Sequence, residues 1–388
     1  MTDTSPTAVL RARRVFDGER WHSNYAVLLR GDRIDGVVPV DEVPEGLTSI
    51  DLGDAILAPG LIDIQVNGGG GVLFNNQPDA ETVHAMVAAH LRYGTTGLMP
   101  TVISDSAEVH RAAVEAVTTA RANAEHGVLG IHLEGPFLNK ERRGTHSASM
   151  IRQADHDDIA WLCSLDAFPV IVTVAPEKLQ AGQLRRLSDA GLLVSAGHTN
   201  ASHACVTEAI AQGLRGFTHL FNAMSSLTAR EPGTVGAALE DHTTWAGIIA
   251  DGHHVHPATL SLAHRCKPAG KLLLVSDAMA TVGAKEQGFE LYGERIEVQR
   301  GKLINTEGNL AGSAIALIDA VRTAHQLSGI ELGECLRMAS LYPAAFLRLE
   351  NQLGRIAPGF RADLFAFTSS YAVTDSWVAG QHTRYHNS

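Results

Sequence analysis

Cysteine is scarce in this chain. The four present, Cys163, Cys205, Cys266 and Cys335, stand far apart and form no Cys-x-x-Cys pair. That spacing argues against a zinc knuckle or a disulfide framework and fits a reducing cytoplasm. No apolar run approaches the length of a membrane span, and the opening Met-Thr-Asp-Thr-Ser-Pro lacks the cationic lead and apolar core of a signal peptide. A soluble, unexported, cytoplasmic protein is expected. Net positive charge is also missing: 31 Lys and Arg against 42 Asp and Glu leave -11 with His neutral. This argues against a general nucleic-acid or anionic-membrane binder but leaves room for one small anion bound locally. Aromatics make up only 5%, whereas glycine is plentiful at 37 of 388 residues. Such a composition suits an α/β enzyme with many tight loops, long enough for one large core and a smaller satellite.

The periodicity changes twice along the chain. Residues 8 to 56 read as short strands separated by Gly-Asp and Pro-rich turns. From Leu61 onward, apolar runs alternate with amphipathic stretches of ten or more residues, the βα signature of a parallel sheet. Eight such runs fall at 61–66, 96–102, 128–133, 169–174, 192–196, 215–219, 246–250 and 272–276. Helices are expected between them, for example over 79–92, 107–124, 177–190 and 201–212, with Gly94, Gly127, Gly191 and Gly213 as stop signals. Residues 288–310 read as a polar β-hairpin insertion, after which helices resume at Ser313; the β pattern returns beyond Leu349. The expected architecture is α/β: a (β/α)8 TIM-like barrel over 58–349, with a small β-sandwich domain assembled from 1–57 and 350–388.

In such a barrel the chemistry belongs at the carboxyl ends of the strands. Run three leads into Glu134, run five into His198, run six ends in His219, run seven leads into Asp251-Gly-His-His254 and run eight into Asp277. Taken singly, a strand-end histidine is an ordinary hydrogen-bonded structural residue, and Asp277 could simply cap the next helix. A carboxylate, two imidazoles and a further carboxylate at successive strand ends are much harder to obtain from packing alone. Two neutral imidazoles and one carboxylate suit a borderline divalent ion such as zinc, with a fourth position left open for water. Asp277 is then placed to take a proton from that water. The stretch Ile131-His-Leu-Glu-Gly-Pro-Phe-Leu-Asn-Lys-Glu-Arg-Arg-Gly-Thr-His146 reads as the rim of the site. Its Lys140, Arg142 and Arg143 fit either a solvated loop or part of a mobile lid.

His132-Leu-Glu-Gly-Pro-Phe, Gly144-Thr-His, Gly197-His-Thr, Thr218-His-Leu-Phe-Asn-Ala-Met and Ser276-Asp-Ala together resemble the N-acetylglucosamine-6-phosphate deacetylases of the amidohydrolase superfamily. The resemblance spans nearly the whole chain, from Pro59-Gly-Leu-Ile-Asp to the late Gly354-Arg-Ile and Gly359-Phe-Arg-Ala-Asp-Leu. It implies Glu134, His198 and His219 as metal ligands and Asp277 as the catalytic acid and base. His146 matches a histidine beside the acetamido carbonyl, suited to supporting the developing oxyanion. Asn222 and Ala223 match positions that bind the sugar phosphate, and His254 matches a further substrate-binding histidine. Arg230 matches a phosphate-binding arginine supplied by the neighbouring subunit, which implies a homodimer with shared sites. On its own, Arg230 reads more simply as a solvated loop charge. Where many amidohydrolases carry His-x-His for a second metal, this chain has Gln65-Val-Asn67. One divalent ion per subunit is therefore expected, zinc first and Fe, Co, Mn or Cd after it, with Gln65 as a weak second site.

The implied reaction is hydrolysis of N-acetyl-D-glucosamine 6-phosphate to D-glucosamine 6-phosphate and acetate, with metal-bound water as nucleophile. Competing readings are another amide substrate, such as N-acetylgalactosamine 6-phosphate or a cyclic imide, and a non-catalytic sugar-phosphate sensor with a structural metal.

Overall fold

The computed structural model describes residues 6–122 and 127–385. Eight parallel strands follow one another in a single sheet: Leu61–Val66, Thr95–Ile103, Ile131–Glu134, Val170–Val174, Leu193–Ala196, Gly216–Phe217, Trp245–Ile249 and Leu272–Val275. We call them barrel strands one to eight. Every residue in them except Trp245 is buried, as parallel strands covered on both faces require. Val66 bridges Ala278 in parallel, and the Asn67 N–H donates to the Ala278 carbonyl (2.8 Å), so strand one meets the end of strand eight. The eight apolar runs have become the eight strands of a (β/α)8 barrel.

Helices begin where a side chain can satisfy their first N–H groups. Asp79 accepts from the Thr82 N–H (2.8 Å) at the head of Ala80–Leu91, and Ser202 accepts from the Cys205 N–H (3.3 Å) at the head of His203–Ala211. Helix Ala107–Ala122 fills most of its expected span, and residues 123 and 124 of that expectation lie outside the described residues. The single helix expected over 177–190 is broken. A 3-10 turn, Pro176–Lys178, precedes a short helix, Gln183–Asp189, which starts after Gly182 at φ +80°, a left-handed conformation that a continuous helix cannot contain. The insertion has three antiparallel strands rather than two, Gly288–Leu291, Glu294–Gln299 and Lys302–Ile304. Helices resume at Leu317, not Ser313. Ser313 is instead drawn to the end of strand eight, its N–H bonded to the Asp277 carbonyl (2.8 Å) and its hydroxyl to the Ser276 carbonyl (2.6 Å).

The two ends of the chain share a second eight-stranded sheet. Ala8–Phe16, Trp21–Arg30, Arg33–Pro39, Thr48–Asp51 and Ile56–Pro59 join Leu364–Phe367, Val373–Val378 and Gln381–Arg384. Strand Ile56–Pro59 pairs with Leu364–Phe367, which joins the two segments. Arg33 bridges Arg361 and the Ile34 N–H donates to the Phe360 carbonyl (2.9 Å), so the sheet folds back on itself around Leu10, Val15, Leu29, Ile34, Leu57, Leu364 and Trp377. Residues 1–5 and 386–388 of the expected terminal domain lie outside the described residues.

Candidate active site

The barrel mouth repeats one local device. Glu134 is the last residue of strand three, while His198, His219 and Asp277 each stand two residues past the end of strands five, six and eight. Those three have left-handed φ values of 47°, 36° and 53°. Phe221 and Ala223, in the loop after strand six, add 81° and 50°. Non-glycine residues held this way cost about 1–3 kcal/mol each, and such strain concentrates at working sites. Here the left-handed turn lets the chain leave the barrel while its side chain reaches across the mouth.

The side chains converge. His198 Nε2 and His219 Nε2 each lie 3.0 Å from Glu134 Oε1 and 3.0 Å from one another, and all three residues are buried. These three offer one ligand atom each within a span of 4.8 Å, an arrangement that could hold a metal ion. The tautomer of His198 supports this. Its Nδ1 faces the Arg142 carbonyl (2.8 Å), which can only accept, so Nδ1 carries the proton and Nε2 turns a bare lone pair toward a carboxylate. Buried lone pairs meeting lone pairs are unfavourable unless a cation lies among them, and two imidazoles with one carboxylate are a fitting donor set for a divalent ion. Burial pushes the Glu134 carboxyl upward, but the two imidazoles beside it outweigh burial and hold the group well below the usual carboxylate range.

Asp277 faces this cluster as a different kind of carboxylate. Burial and the neighbouring charge of Glu134 push it up to about 6, against the pull of His219, His254 and Asn67. It is therefore poised to exchange a proton near neutrality. Gln65 Nε2 donates to Glu134 Oε2 (3.1 Å) and to Asp277 Oδ1 (3.2 Å), and Asn67 Nδ2 donates to Asp277 Oδ1 (2.7 Å). In this arrangement the Gln65 nitrogen, a hydrogen-bond donor, meets the carboxylates. The expectation of Gln65 as a weak metal site needs its oxygen there instead.

A cleft of about 690 Å³ opens above these groups. Glu134, His146, His198, His219, Asn222, Ala223, His254 and Asp277 all line it, with Ile103, Ile249, Met279 and Leu310 as an apolar wall. Gln65 lies beneath, outside the lining, and Arg230 is exposed on the 225–232 loop and is not among the residues that line this cleft. His254 Nδ1 donates to Asp251 Oδ2 (2.7 Å), and Asp251 Oδ1 accepts the N–H groups of His253 and His254 (2.8 Å each). Asp251 thus orients the His254 ring, a role that Asp251-Gly-His-His at a strand end hinted at without specifying. The contacts of Asn67 with Asp277 and of Ser104 with His146 (Oγ to Nδ1, 2.8 Å) had no local sequence signal, because the partners stand 210 and 42 residues apart in the chain.

The model of the amidohydrolase family matches residues 56–382, and that of the NagA composite domain matches residues 10–57. The chain belongs to the amidohydrolase family. This amidohydrolase is 41% identical to the N-acetylgalactosamine-6-phosphate deacetylase of Shewanella sp. (strain ANA-3), covering 84% of this chain and 82% of that one. It is 33% identical to the N-acetylglucosamine-6-phosphate deacetylase of Haemophilus influenzae, covering 92% and 94%. Among solved structures, the N-acetylglucosamine-6-phosphate deacetylase from Pasteurella multocida superposes with a TM-score of 0.94 at 35% identity, covering 97% of this chain and all of that one.

Proposed function

We propose that this amidohydrolase hydrolyses the acetamide of N-acetyl-D-glucosamine 6-phosphate, releasing acetate and D-glucosamine 6-phosphate. The observation that carries the reading is the pairing of two unlike carboxylates at one cleft. Glu134 is held ionised between two imidazoles, while Asp277 across from it takes up a proton near neutrality. Glu134, His198 and His219 would hold one divalent ion, zinc before Fe, Co, Mn or Cd. Such an ion acidifies a water molecule and polarises a carbonyl. Asp277 removes the proton from the attacking water and returns it to the departing nitrogen, without which an amine is a very poor leaving group. His146 donates a hydrogen bond toward the acyl oxygen as it gains charge. His254, Asn222 and Ala223, which line the same cleft, are assigned to the sugar and its phosphate.

Arg230 is assigned to the phosphate of a second subunit's substrate, which makes the working form a homodimer. Its exposure, and its absence from the lining of its own cleft, fit that use. We place the protein in the cytoplasm, in keeping with four unpaired thiols and with no described helix long and apolar enough to cross a membrane. The domain division at 57/58 and 349/350 is part of the same reading. The 41% identical relative named for the galactosamine epimer makes N-acetylgalactosamine 6-phosphate the second substrate reading. The test is acetate release by zinc-loaded protein from both epimeric phosphates and from unphosphorylated N-acetylglucosamine, beside Asp277→Asn. Turnover that needs the phosphate and Asp277 is expected, with the glucosamine ester the better substrate. Tight binding of the ester without any acetate release would make the protein a sensor and overturn the proposal.

A further inference from the structure

His146 lies on the loop after strand three, on neither strand nor helix, so its ring must be fixed from outside that loop. Ser104, just past strand two, meets this need. Its backbone N–H donates to His146 Nδ1 (3.3 Å), and its hydroxyl lies 2.8 Å from the same nitrogen. A backbone N–H can only donate, so Nδ1 is the bare nitrogen and the ring proton sits on Nε2, 4.0 Å from Glu134 Oε1. Ser104 is held in turn by the insertion. Tyr292 donates its hydroxyl to the Ser104 carbonyl (2.5 Å), and the backbone of Ser147, next to His146, faces the same phenol oxygen.

Tyr292 and Gly293 join strands Gly288–Leu291 and Glu294–Gln299 with φ values of 52° and 77°, the two-residue hairpin turn that needs both residues left-handed. A bulky residue in that first position is unusual. Here the strained turn directs the ring toward Ser104. Burial pushes the phenol far above its ordinary range, so it stays a donor at every working pH. A second tie joins the same elements: Arg143, three residues before His146, pairs with Glu307 of the insertion at 2.5 Å.

Building on the deacetylase reading, we propose that Ser104 and Tyr292 are positioning residues that hold His146 as its Nε2–H tautomer, a hydrogen-bond donor aimed at the acyl oxygen of the substrate. The insertion is thereby part of the active-site framework. The test is a long-range proton–nitrogen correlation spectrum of the histidine rings in full-length zinc-loaded protein, with the His146 signals assigned by their loss in His146→Asn. Wild type should show His146 protonated at Nε2. Tyr292→Phe removes one oxygen and keeps the ring; it should shift His146 toward a mixture of tautomers. Its kcat should fall about 10-fold with KM and zinc content unchanged, the order expected when an oriented group is loosened rather than removed. Ser104→Ala, which loses the hydroxyl but keeps the backbone N–H, should give the same directions with a smaller loss, and it covers the case in which the tyrosine variant folds poorly. Ser104→Thr should restore wild-type behaviour. His146 found protonated at Nδ1 in wild type, or Tyr292→Phe with tautomer and kcat both unchanged, would overturn the proposal. The spectrum needs no substrate, so a wild type that releases no acetate would end the deacetylase reading while the tautomer is still decided.

Discussion

The end of strand five and the loop after strand three each bring one imidazole to the barrel mouth, with ring centroids only 4.3 Å apart. The two present opposite chemistry. At the strand end, His198 Nδ1–H donates a hydrogen bond to the Arg142 carbonyl, which leaves Nε2 as a lone pair beside Glu134. On the loop, His146 Nδ1 receives the Ser104 N–H, which leaves Nε2 as a donor. Identical side chains in the same cleft thus present a lone pair in one case and a hydrogen-bond donor in the other, according to which backbone group each far nitrogen meets. Backbone carbonyls and amides are permanent acceptors and donors, so they fix which nitrogen of each neutral ring carries its proton.

The contrast can be broken most sharply at its ligand side. His198→Ala should weaken zinc binding by well over ~100-fold, more than loss of an outer partner of a ligand costs, and should abolish turnover; zinc content after dialysis is the measurement. Asp277→Asn should retain zinc and lose about 10³-fold in kcat, within the range for removal of a general acid and base. His146→Ala should also retain zinc and lose about 10²-fold in kcat, as expected for one oxyanion donor. If it lost zinc instead, the division between the two imidazoles would be wrong. Arg230→Ala should raise KM for the sugar phosphate by about 10-fold, roughly the worth of one charge-assisted contact, with zinc loading unaltered.

The smallest expected effect concerns stability. In the metal-free protein the Asp277 carboxyl is pushed up to about 6 by burial and by Glu134. A carboxyl raised in the folded state binds more protons there than in the unfolded chain, so its contribution favours folding at low pH and is lost as pH rises from about 4 through about 6. Metal-free Asp277→Asn should therefore melt above metal-free wild type at pH 8, and the gap should close by pH 4. Thermal melts at both values, with no difference at pH 8, would mean that the buried charge is compensated by Gln65 and Asn67.

Alternation of buried apolar runs with amphipathic stretches was legible directly, because a strand covered on both faces must be apolar throughout and a helix on such a barrel must be apolar on one side. The eight runs, and the candidate site residues at their ends, follow from that local rule. Local periodicity does not register breaks that depend on a single backbone conformation, such as Gly182 between the turn Pro176–Lys178 and the helix Gln183–Asp189, or the extra strand Lys302–Ile304 in the insertion. The long motifs Gly197-His-Thr and Thr218-His-Leu-Phe-Asn pointed to the family, yet no motif states which nitrogen of a ring carries its proton.

By itself, then, the sequence determined a barrel with acidic and imidazole side chains at successive strand ends, since strand periodicity and strand-end position are properties of a few neighbouring residues. Tertiary structure alone decided that Gln65 bridges carboxylates 69 and 212 residues away, that Asn67 reaches the second of them across 210 residues, and that Tyr292 steadies Ser104 across 188. Those pairings depend on the closing of strand one against strand eight and on the docking of the insertion, and a hydrogen bond made through space leaves no periodic trace along the chain.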